Sequence, residues 1–325
     1  MNKTVVKSSL HLRAGEVVEV RSTAEILATL DANGKLDELP FMPEMLQYCG
    51  KRLRVYKRAD KTCDTVNPWS LRRLKNTVHL EENRCSGEAH GGCQASCLLF
   101  WKEAWLHRVE QESSPALEGN RPTGFTMEML FHKTLVSSIP GVPDEDIFSC
   151  QATELERFTN PLPLWDFRQY VRDVVTGNVP FSMVVKGVLV ALFNSFQRFR
   201  KGGEYPMWFR SHARPITGKT PAVTLGLKPG EFVQIKNRDE ILKTLDVRER
   251  NRGLSFDREM VKYCGGKFRV RSRVEKIINE KNGKMMKLPN DCIVLEGVVC
   301  VGDLHWFCPR SIYPYWREIW LERAE

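Results

Sequence analysis

Two cysteines and a histidine lie close together in the segment CSGEAHGGC, which covers residues 85–93. A second segment, CVGDLHWFC, covers residues 300–308 and has the same spacing. In each segment four residues separate the first cysteine from the histidine, and two residues separate the histidine from the second cysteine. Thiolate and imidazole groups are ligands that zinc prefers in proteins. The two segments therefore predict two metal sites.

The two segments belong to a long internal repeat. With an offset of 215 residues, residues 14–107 align without a gap to residues 229–322, and 32 of the 94 aligned pairs are identical. Chance does not produce such a match, so the sequence predicts two copies of one module. The period is far too long for a solenoid.

The repeat selects candidate ligands, because residues that both copies keep are those that the module itself needs. Three cysteines and one histidine are kept in register, which suits tetrahedral zinc. Two glycines, Gly87 and Gly302, are also kept, and a glycine here lets a tight loop fold back toward an ion. The first cysteine of each set could instead be a small buried residue. The predicted ligands are Cys49, Cys85, His90 and Cys93 in the first copy, and Cys264, Cys300, His305 and Cys308 in the second.

The first copy has three more reactive side chains that the second copy lacks. Aliphatic residues stand at the matching positions of the second copy, so these side chains could also fill a core. Together with the two thiols of the segment 85–93, two of them make an all-thiolate set, which suits an iron–sulfur cluster. We therefore predict zinc at both sites, an iron–sulfur cluster in the first repeat as the alternative, and activity at the first site. The three additional candidate ligands are Cys63, His79 and Cys97.

The fold prediction rests on short alternating segments in each copy. Arg52–Arg58 and Lys267–Arg273 alternate in the manner of half-buried strands with basic outer faces. Several short strands, many turns and few helices favour an α+β protein with two small antiparallel β-barrels of SH3-like type flanking a helical insert. The predicted domains are a first barrel over 1–110, a linker and helical insert over 111–228, and a second barrel over 229–325.

The predicted insert contains helices and one further cysteine. Cys150 could be a buried helix residue, a nucleophile or a ligand that reaches the first site. Phe181–Phe199 is almost long enough to span a bilayer, but Lys186 argues against a spanning helix. It could be a core helix, a helix in a membrane interface or a partner-binding helix. Three other helices are predicted, over Phe125–Val136, Pro143–Phe158 and Phe167–Thr176.

Composition restricts the partners and the compartment. The chain of 325 residues has ten cysteines and a net charge of +9. Its beginning lacks an apolar core of signal-peptide length, so we expect a reducing, cytoplasmic location, with a peripheral membrane location as the alternative. The basic excess permits a protein partner, a nucleic acid or an anionic membrane surface. The sequence contains no glycine-rich phosphate loop, no HExxH motif and no nucleotide fingerprint, so it predicts neither a nucleotide cofactor nor a particular reaction.

Overall fold

A computed structural model describes residues 9–67, 70–109, 126–138, 146–200, 202–206 and 216–324. The chain divides into two compact units. The first unit comprises the residues up to Pro180 together with Ile277–Met286 and Cys308–Arg310. The second unit comprises Phe181–Lys276, Lys287–Phe307 and Ser311–Glu325. Two short stretches of the second repeat therefore belong to the first unit, and the predicted domain boundaries at 110 and 228 stay predictions.

The first unit is built mostly from short strands, with few helices, so it is mixed α+β. Its helices are α1 (Thr23–Leu27), α2 (Met127–His132), α3 (Leu155–Phe158) and α4 (Arg168–Val175), with 3₁₀ turns at Pro43–Tyr48 and Glu103–Trp105. Its strands are β1 (Val17–Val20), β2 (Lys35–Leu36), β3 (Leu39–Pro40), β4 (Arg52–Arg58), β5 (Lys61–Cys63), β6 (Leu71–Arg73), β7 (Thr77–Arg84), β8 (Leu98–Lys102), β9 (Leu106–Arg108), β10 (Leu135–Ser137), β11 (Ile147–Phe148) and β12 (Asn160–Leu162).

The main sheet of the first unit is a curled antiparallel half-barrel. Its strand order is β8-β7-β4-β1-β9, and the concave face covers a core that contains Trp101 and Trp105, both fully buried. Because successive side chains of a strand point to opposite faces, the alternation seen in β4 buries Val55 and leaves Arg54 exposed. The half-barrel agrees with the predicted α+β class, while closure into an SH3-like barrel stays a prediction.

The remaining elements follow Pro180 in the chain. They include two helices, α5 (Phe181–Phe199) and α6 (Arg238–Leu242), and 3₁₀ turns at Arg258–Tyr263 and Glu318–Trp320. The strands are β13 (Phe232–Ile235), β14 (Arg250–Asn251), β15 (Leu254–Ser255), β16 (Lys267–Arg273), β17 (Lys276–Ile278), β18 (Met285–Lys287), β19 (Ile293–Leu295) and β20 (Leu321–Arg323).

The sheet of the second unit has four strands, which pair in the same order as four of the five strands of the first sheet. Its order is β19-β16-β13-β20. The partners Val17 and Arg54 of the first sheet correspond to the partners Phe232 and Arg269 of the second, at the repeat offset of 215 residues. The pairing of β4 with β7 likewise corresponds to that of β16 with β19. The aligned residues of the two copies therefore occupy equivalent positions in the two sheets.

Two of the predicted helices are wrong in part. The segment predicted as Pro143–Phe158 contains β11 and only a short helix, α3, and residues 139–145 lie outside the described residues. The segment Phe125–Val136 is helical only up to His132, because Leu135–Ser137 pairs with β11 as a strand. Tertiary pairing overrides local helix preference in both places.

The apolar segment Phe181–Phe199 forms a helix as predicted, but it is not a core helix. Its only buried residue is Asn194, while Leu189 and Leu192 are 61% and 64% exposed. Among the described residues, no helix is long and apolar enough to cross a membrane. The interpretation as a core helix is therefore wrong. The interpretations as a membrane-interface helix and as a partner-binding helix stay predictions.

A buried glutamate joins the beginning of the first unit to its sheet. Glu103 is fully buried and accepts hydrogen bonds from the backbone N–H groups of Leu10 (2.8 Å) and Leu12 (3.0 Å). Its carboxylate also lies 2.6 Å from the guanidinium of Arg58. Arg58 is 6% exposed, so the expectation that the whole basic side of β4 faces solvent is wrong at this position.

The second unit repeats this arrangement. Glu318 is fully buried, accepts hydrogen bonds from the backbone N–H groups of Leu225 and Leu227, and pairs with Arg273. Burial opposes ionisation of Glu103, but the charge of Arg58 and the backbone donors hold the pKa of Glu103 below its ordinary value. Each of the two main sheets therefore contains one fully buried carboxylate whose pKa is held below its ordinary value.

We expect Glu103→Gln to lower the free energy of unfolding by about 3 kcal/mol, because the substitution removes the fully buried partner of Arg58 and leaves that guanidinium only its pair with Asp60. Glu19→Gln is the matched control, since Glu19 pairs with Arg52 in the same sheet, 3.1 Å apart, but both side chains are substantially exposed. The control should cost less than about 1 kcal/mol. Urea unfolding measures both variants, and equal losses would contradict the role assigned to Glu103.

The lowered pKa of Glu103 also predicts an effect of pH on stability. The stabilisation is complete above the ordinary glutamate pKa of about 4.3 and is lost as the pH falls through the lower pKa of the folded state. The difference in unfolding free energy between the wild type and Glu103→Gln should therefore shrink below about pH 4. Urea unfolding between pH 7 and pH 3 tests this, and a constant difference would contradict it.

Candidate metal centres

The loop that follows β7 folds back on itself, as the kept glycines predict. Gly87 has a φ of +79° and Gly302 a φ of +84°, in the left-handed region that favours glycine. The carbonyl of Gly87 accepts hydrogen bonds from the backbone N–H groups of His90 (3.0 Å) and Gly92 (2.9 Å). The carbonyl of Gly302 does the same for His305 and Phe307. Each loop thus returns its histidine toward its first cysteine.

A Glu/Cys/His triad lies at the centre of the first loop. The triad comprises Glu44, Cys85 and His90, whose ligand atoms all lie within 4.8 Å of one another. The Nδ1 atom of His90 is 2.8 Å from Oε1 of Glu44 and 3.9 Å from Sγ of Cys85. Ligands of a tetrahedral zinc ion are separated by roughly 3.3–3.8 Å, so small adjustments would bring these three atoms around one ion.

The second loop holds the same three residue types. Glu259, Cys300 and His305 also have ligand atoms within 4.8 Å of one another. Here Sγ of Cys300 is 3.3 Å from Nδ1 of His305. Two groups of residues that could hold a metal ion are therefore present, one in each unit, and they are related by the repeat offset.

The two glutamates were not among the ligands predicted from the sequence. Each lies in a 3₁₀ turn and is buried, with 7% exposure for Glu44 and 4% for Glu259. Their Oε1 atoms accept hydrogen bonds from the backbone N–H groups of Ala89 (3.2 Å) and Leu304 (2.5 Å) in the two loops. The two glutamates occupy matching positions of the repeat, so the alignment of the two copies could have identified them as candidate ligands. A search restricted to cysteine and histidine missed it.

The polar atoms of the first triad are only partly compensated by the protein. Burial and the negative charge of Glu44 raise the pKa of the Cys85 thiol, so the thiol stays protonated without an ion. Burial opposes ionisation of Glu44, but the hydrogen bond and charge of His90 hold its pKa below the ordinary value. Oε2 of Glu44 and Nε2 of His90 are buried without a hydrogen-bond partner. A bound cation would deprotonate the thiol and compensate the carboxylate.

The second triad differs from the first in one carboxylate, which pairs with the histidine nitrogen that faces away from the cysteine. Nε2 of His305 lies 3.2 Å from Oδ2 of Asp257. Burial lowers the pKa of His305, but Asp257 and Cys300 outweigh it and raise the pKa to about 11. A carboxylate on the far nitrogen is the usual way to orient a metal-bound histidine. Met42 occupies the matching position in the first copy, which explains why Nε2 of His90 has no partner.

Two of the predicted ligands pack with the hydrophobic cores. Cys49 and Cys264 lie against the apolar clusters of the first and second unit, respectively. Burial raises the pKa of Cys49 and raises that of Cys264 to about 11. Neither residue belongs to a triad. Their packing supports the alternative of small buried residues, and a ligand role for them stays a prediction.

His79 has the surroundings of a buried core residue. It is fully buried, stacks on Phe100 with ring centroids 4.5 Å apart, and its Nδ1 lies 2.8 Å from the carbonyl oxygen of Leu99. Burial lowers the pKa of His79 to about 3, so the imidazole is neutral and its Nδ1–H donates to that carbonyl. A ligand role for His79 stays a prediction.

Five of the six remaining cysteines belong to the first unit. Cys308 lies beside Cys63, whose backbone N–H donates to Sγ of Cys308 over 3.0 Å. Cys93 accepts a hydrogen bond from the backbone N–H of Ile278 over 3.4 Å. Burial raises the pKa of the Cys97 thiol. Cys308 was predicted as a ligand with Cys300 and His305, but the structure places it in the first unit.

A separate cavity of about 600 Å³ lies in the first unit and has a mainly cationic lining. Most of these cations already have carboxylate partners. Lys61 lies 2.6 Å from Asp173, and Asp166 pairs with both Arg73 and Arg168. The cavity is therefore a weaker candidate site than the first triad, which contains two buried polar atoms without a hydrogen-bond partner.

We expect Gly87→Ala to disrupt the first loop. A Cβ atom at this position would lie 1.9 Å from the carbonyl oxygen of Cys93, so the backbone must move. Gly15→Ala is the matched control, because Gly15 also has a positive φ, of +89°, but nothing lies within 4 Å of its added Cβ.

The control should lose only about 1–2 kcal/mol of stability, the cost of the left-handed conformation. Gly87→Ala should lose more and should also weaken metal retention at the first triad. Urea unfolding and metal analysis after dialysis measure the two effects. Equal behaviour of the two variants would contradict a tight fold-back at Gly87.

Comparison with known proteins adds no relationship to this picture. No protein-family model matches the chain, and no curated protein matches it. The candidate function therefore rests on the two triads and their surroundings.

Proposed function

We propose that the protein is a duplicated zinc-binding protein in which each repeat holds one zinc ion through a glutamate, a cysteine and a histidine. The observation that carries this proposal is that Glu44, Cys85 and His90 and their counterparts 215 residues later converge in the same way. A chance cluster of polar residues would not recur at the same aligned positions in two units. The proposed modules are those predicted from the sequence, over 1–110 and 229–325.

The donor set favours zinc over the other metals. One thiolate, one imidazole and one carboxylate are all good zinc ligands. Calcium and magnesium prefer oxygen ligands alone, and an iron–sulfur cluster requires several thiolates. Each triad supplies only one thiol, so the iron–sulfur alternative does not fit the triads.

Three protein ligands leave the fourth position of a tetrahedral zinc ion for water or for another ligand, as in catalytic zinc sites. The first triad is deeply buried, with His90 only 1% exposed, whereas the side chain of His305 in the second triad is 27% exposed. Accessibility therefore favours ligand exchange at the second site. We propose a mainly structural role for zinc at the first site, in contrast to the activity that the extra thiols suggested.

Nucleic-acid binding has weaker support. The exposed arginines on β4 have acidic neighbours, since Arg52 lies 3.1 Å from Glu19 and Arg54 lies 3.9 Å from Glu81. Such pairs reduce the positive potential that phosphate contacts would need. The basic strand face is therefore better explained as a solvated, partly paired surface.

Zinc titration of the purified protein tests the proposal. We expect about two tightly bound zinc ions per chain, and the loss of about one ion in each of Cys85→Ser and Cys300→Ser, because each substitution removes the only thiolate of a triad. Cys49→Ser is the matched control and should keep both ions. Competition with a chromophoric chelator measures the affinities. Full zinc retention in the double variant Cys85→Ser/Cys300→Ser would overturn the proposal.

Because Asp257 pairs with His305, we predict that a change at Asp257 affects zinc affinity at the second site and not at the first. Asp257→Asn should weaken zinc binding at the second site by roughly 10–100-fold, because it weakens the hydrogen bond that orients the imidazole. The first site, with Met42 at that position, should be unaffected. Titrating Asp257→Asn in the Cys85→Ser and Cys300→Ser backgrounds separates the sites, and an equal effect on both would contradict this prediction.

A further inference from the structure

We propose that the cavity of about 600 Å³ in the first unit binds a small molecule through its phosphoryl groups. Its volume lies within the range of ligand-binding cavities, about 300–1,000 Å³. None of the described residues that line it belongs to either triad. The proposal therefore does not depend on the proposed zinc function.

The cavity carries more positive than negative charge. Seven arginine and lysine side chains line it, and four carboxylates of the described residues pair with them. An excess of three positive charges remains. A phosphoryl group carries a charge of about −1.5 to −2 at pH 7, so the excess matches about two such groups. The paired carboxylates are Asp60, Glu103, Asp166 and Asp173.

Three of the lining cations form no ion pair with another described residue. They are Arg13, Lys75 and Arg172, and all three are exposed to solvent at the cavity. An arginine presents several N–H donors in a fork that matches two phosphate oxygens, and a lysine adds a compact charge. These three side chains are therefore the ones that are available to a phosphoryl group.

The buried side of the cavity is already neutralised by ion pairs. Lys61 is 2% exposed, and its Nζ lies 2.6 Å from Asp173. The guanidinium of Arg58 donates to both carboxylate oxygens of Asp60, over 2.9 Å and 3.1 Å. The carboxylates on this side are thus compensated by their own partners. We therefore expect the phosphoryl groups to bind on the exposed side of the cavity.

Two further arginines of the lining share a single carboxylate. Asp166 is 5% exposed and accepts hydrogen bonds from Arg168 over 2.8 Å and 3.0 Å, and also from Arg73. One carboxylate cannot neutralise two guanidinium groups, so a positive charge remains at this wall. This charge also favours an anionic ligand.

Hydrogen bonds hold the walls of the cavity in place. The backbone N–H of Ala14 donates to the carbonyl of Thr176 over 3.0 Å, which joins the segment before β1 to the end of α4. The side chain of Asn178 bonds to both the backbone N–H and the carbonyl of Arg58, over 2.8 Å and 2.9 Å. The cations therefore occupy their positions before a ligand arrives, which reduces the cost of binding.

The lining also contains an apolar part. Leu74 and Leu162 are buried at the cavity, and Val175 of α4 lies at its exposed side. Ligand sites typically combine apolar walls with a few charged groups that fix the orientation. The lining therefore favours an organic phosphate over free phosphate. A soluble organic phosphate and a phospholipid headgroup share this chemistry, and vesicle binding distinguishes them.

Isothermal titration calorimetry of the full chain with fructose 1,6-bisphosphate tests the proposal. We expect about one bound molecule per chain. Binding should be tighter than that of inorganic phosphate, because two phosphoryl groups reach more of the cations, and fructose should not bind. Flotation with phosphatidylcholine vesicles, with and without phosphatidic acid, tests for a lipid headgroup.

Lys75→Gln and Arg172→Gln should each weaken binding of the bisphosphate by about tenfold, because each removes a charged hydrogen-bond donor to a phosphoryl group. Lys133→Gln and Arg157→Gln are the matched controls, since each removes a positive charge from an exposed position of the same unit outside the cavity lining. The controls should bind the bisphosphate as the wild type does. Zinc at the triads should persist in all four variants, which separates this proposal from the zinc proposal.

Far-ultraviolet circular dichroism checks that each variant is folded. Binding to the vesicles alone, weakened in Lys75→Gln and Arg172→Gln, would identify a lipid headgroup as the source of the phosphoryl groups. A folded wild type that binds neither the bisphosphate nor the vesicles at concentrations up to about 1 mM would overturn the proposal. Equal weakening in the two control variants would also overturn it, because attraction to the net charge of the chain would then explain the binding.

Discussion

A carboxylate that is fully removed from water must have its charge and its lone pairs compensated by the protein. Glu103 meets this requirement through Arg58 and the backbone N–H groups of Leu10 and Leu12. These contacts join the segment before β1, strand β4 and the end of β8. Since β4 also pairs with β7, the loop that follows β7 depends on the same arrangement. The first candidate metal loop is therefore connected, through β4 and β7, to a charge buried in the sheet.

The buried carboxylate of the first triad also needs partners for its charge and its lone pairs, but the protein supplies only some of them. Glu44 has His90 and the backbone of Ala89 as partners, yet its second oxygen and the far nitrogen of His90 have none. In Glu103 the protein supplies the cation itself, as Arg58. In the first triad two buried polar atoms have no hydrogen-bond partner, and a metal ion would compensate them. This contrast distinguishes a structural carboxylate from a candidate ligand, although both are buried and both are kept in the repeat.

The two copies have kept the triads and changed the residues around them. Asp257 stands behind His305, whereas Met42 stands at the matching position of the first copy. Cys63 and Cys97 lie in the first unit, and isoleucine occupies both matching positions of the second copy. Cys308, although part of the second repeat, lies beside Cys63. This contact involves residues of both copies, and an alignment of one copy with the other could not reveal it.

The sequence by itself determined the repeat, the alternating strands β4 and β16, and the fold-back at Gly87 and Gly302. It also determined that Cys85 lies near His90 and that Cys300 lies near His305. These features follow from short-range spacing and from the physical limits of single residues, which act within a few positions of the chain. Tertiary structure decided that Glu44 and Glu259 complete the triads, that Arg58 is buried and that helix α5 is exposed. It also decided that Cys308 lies next to Cys63, which is 245 residues away. Contacts of this kind depend on how distant segments pack together, and neither composition nor periodicity records that packing.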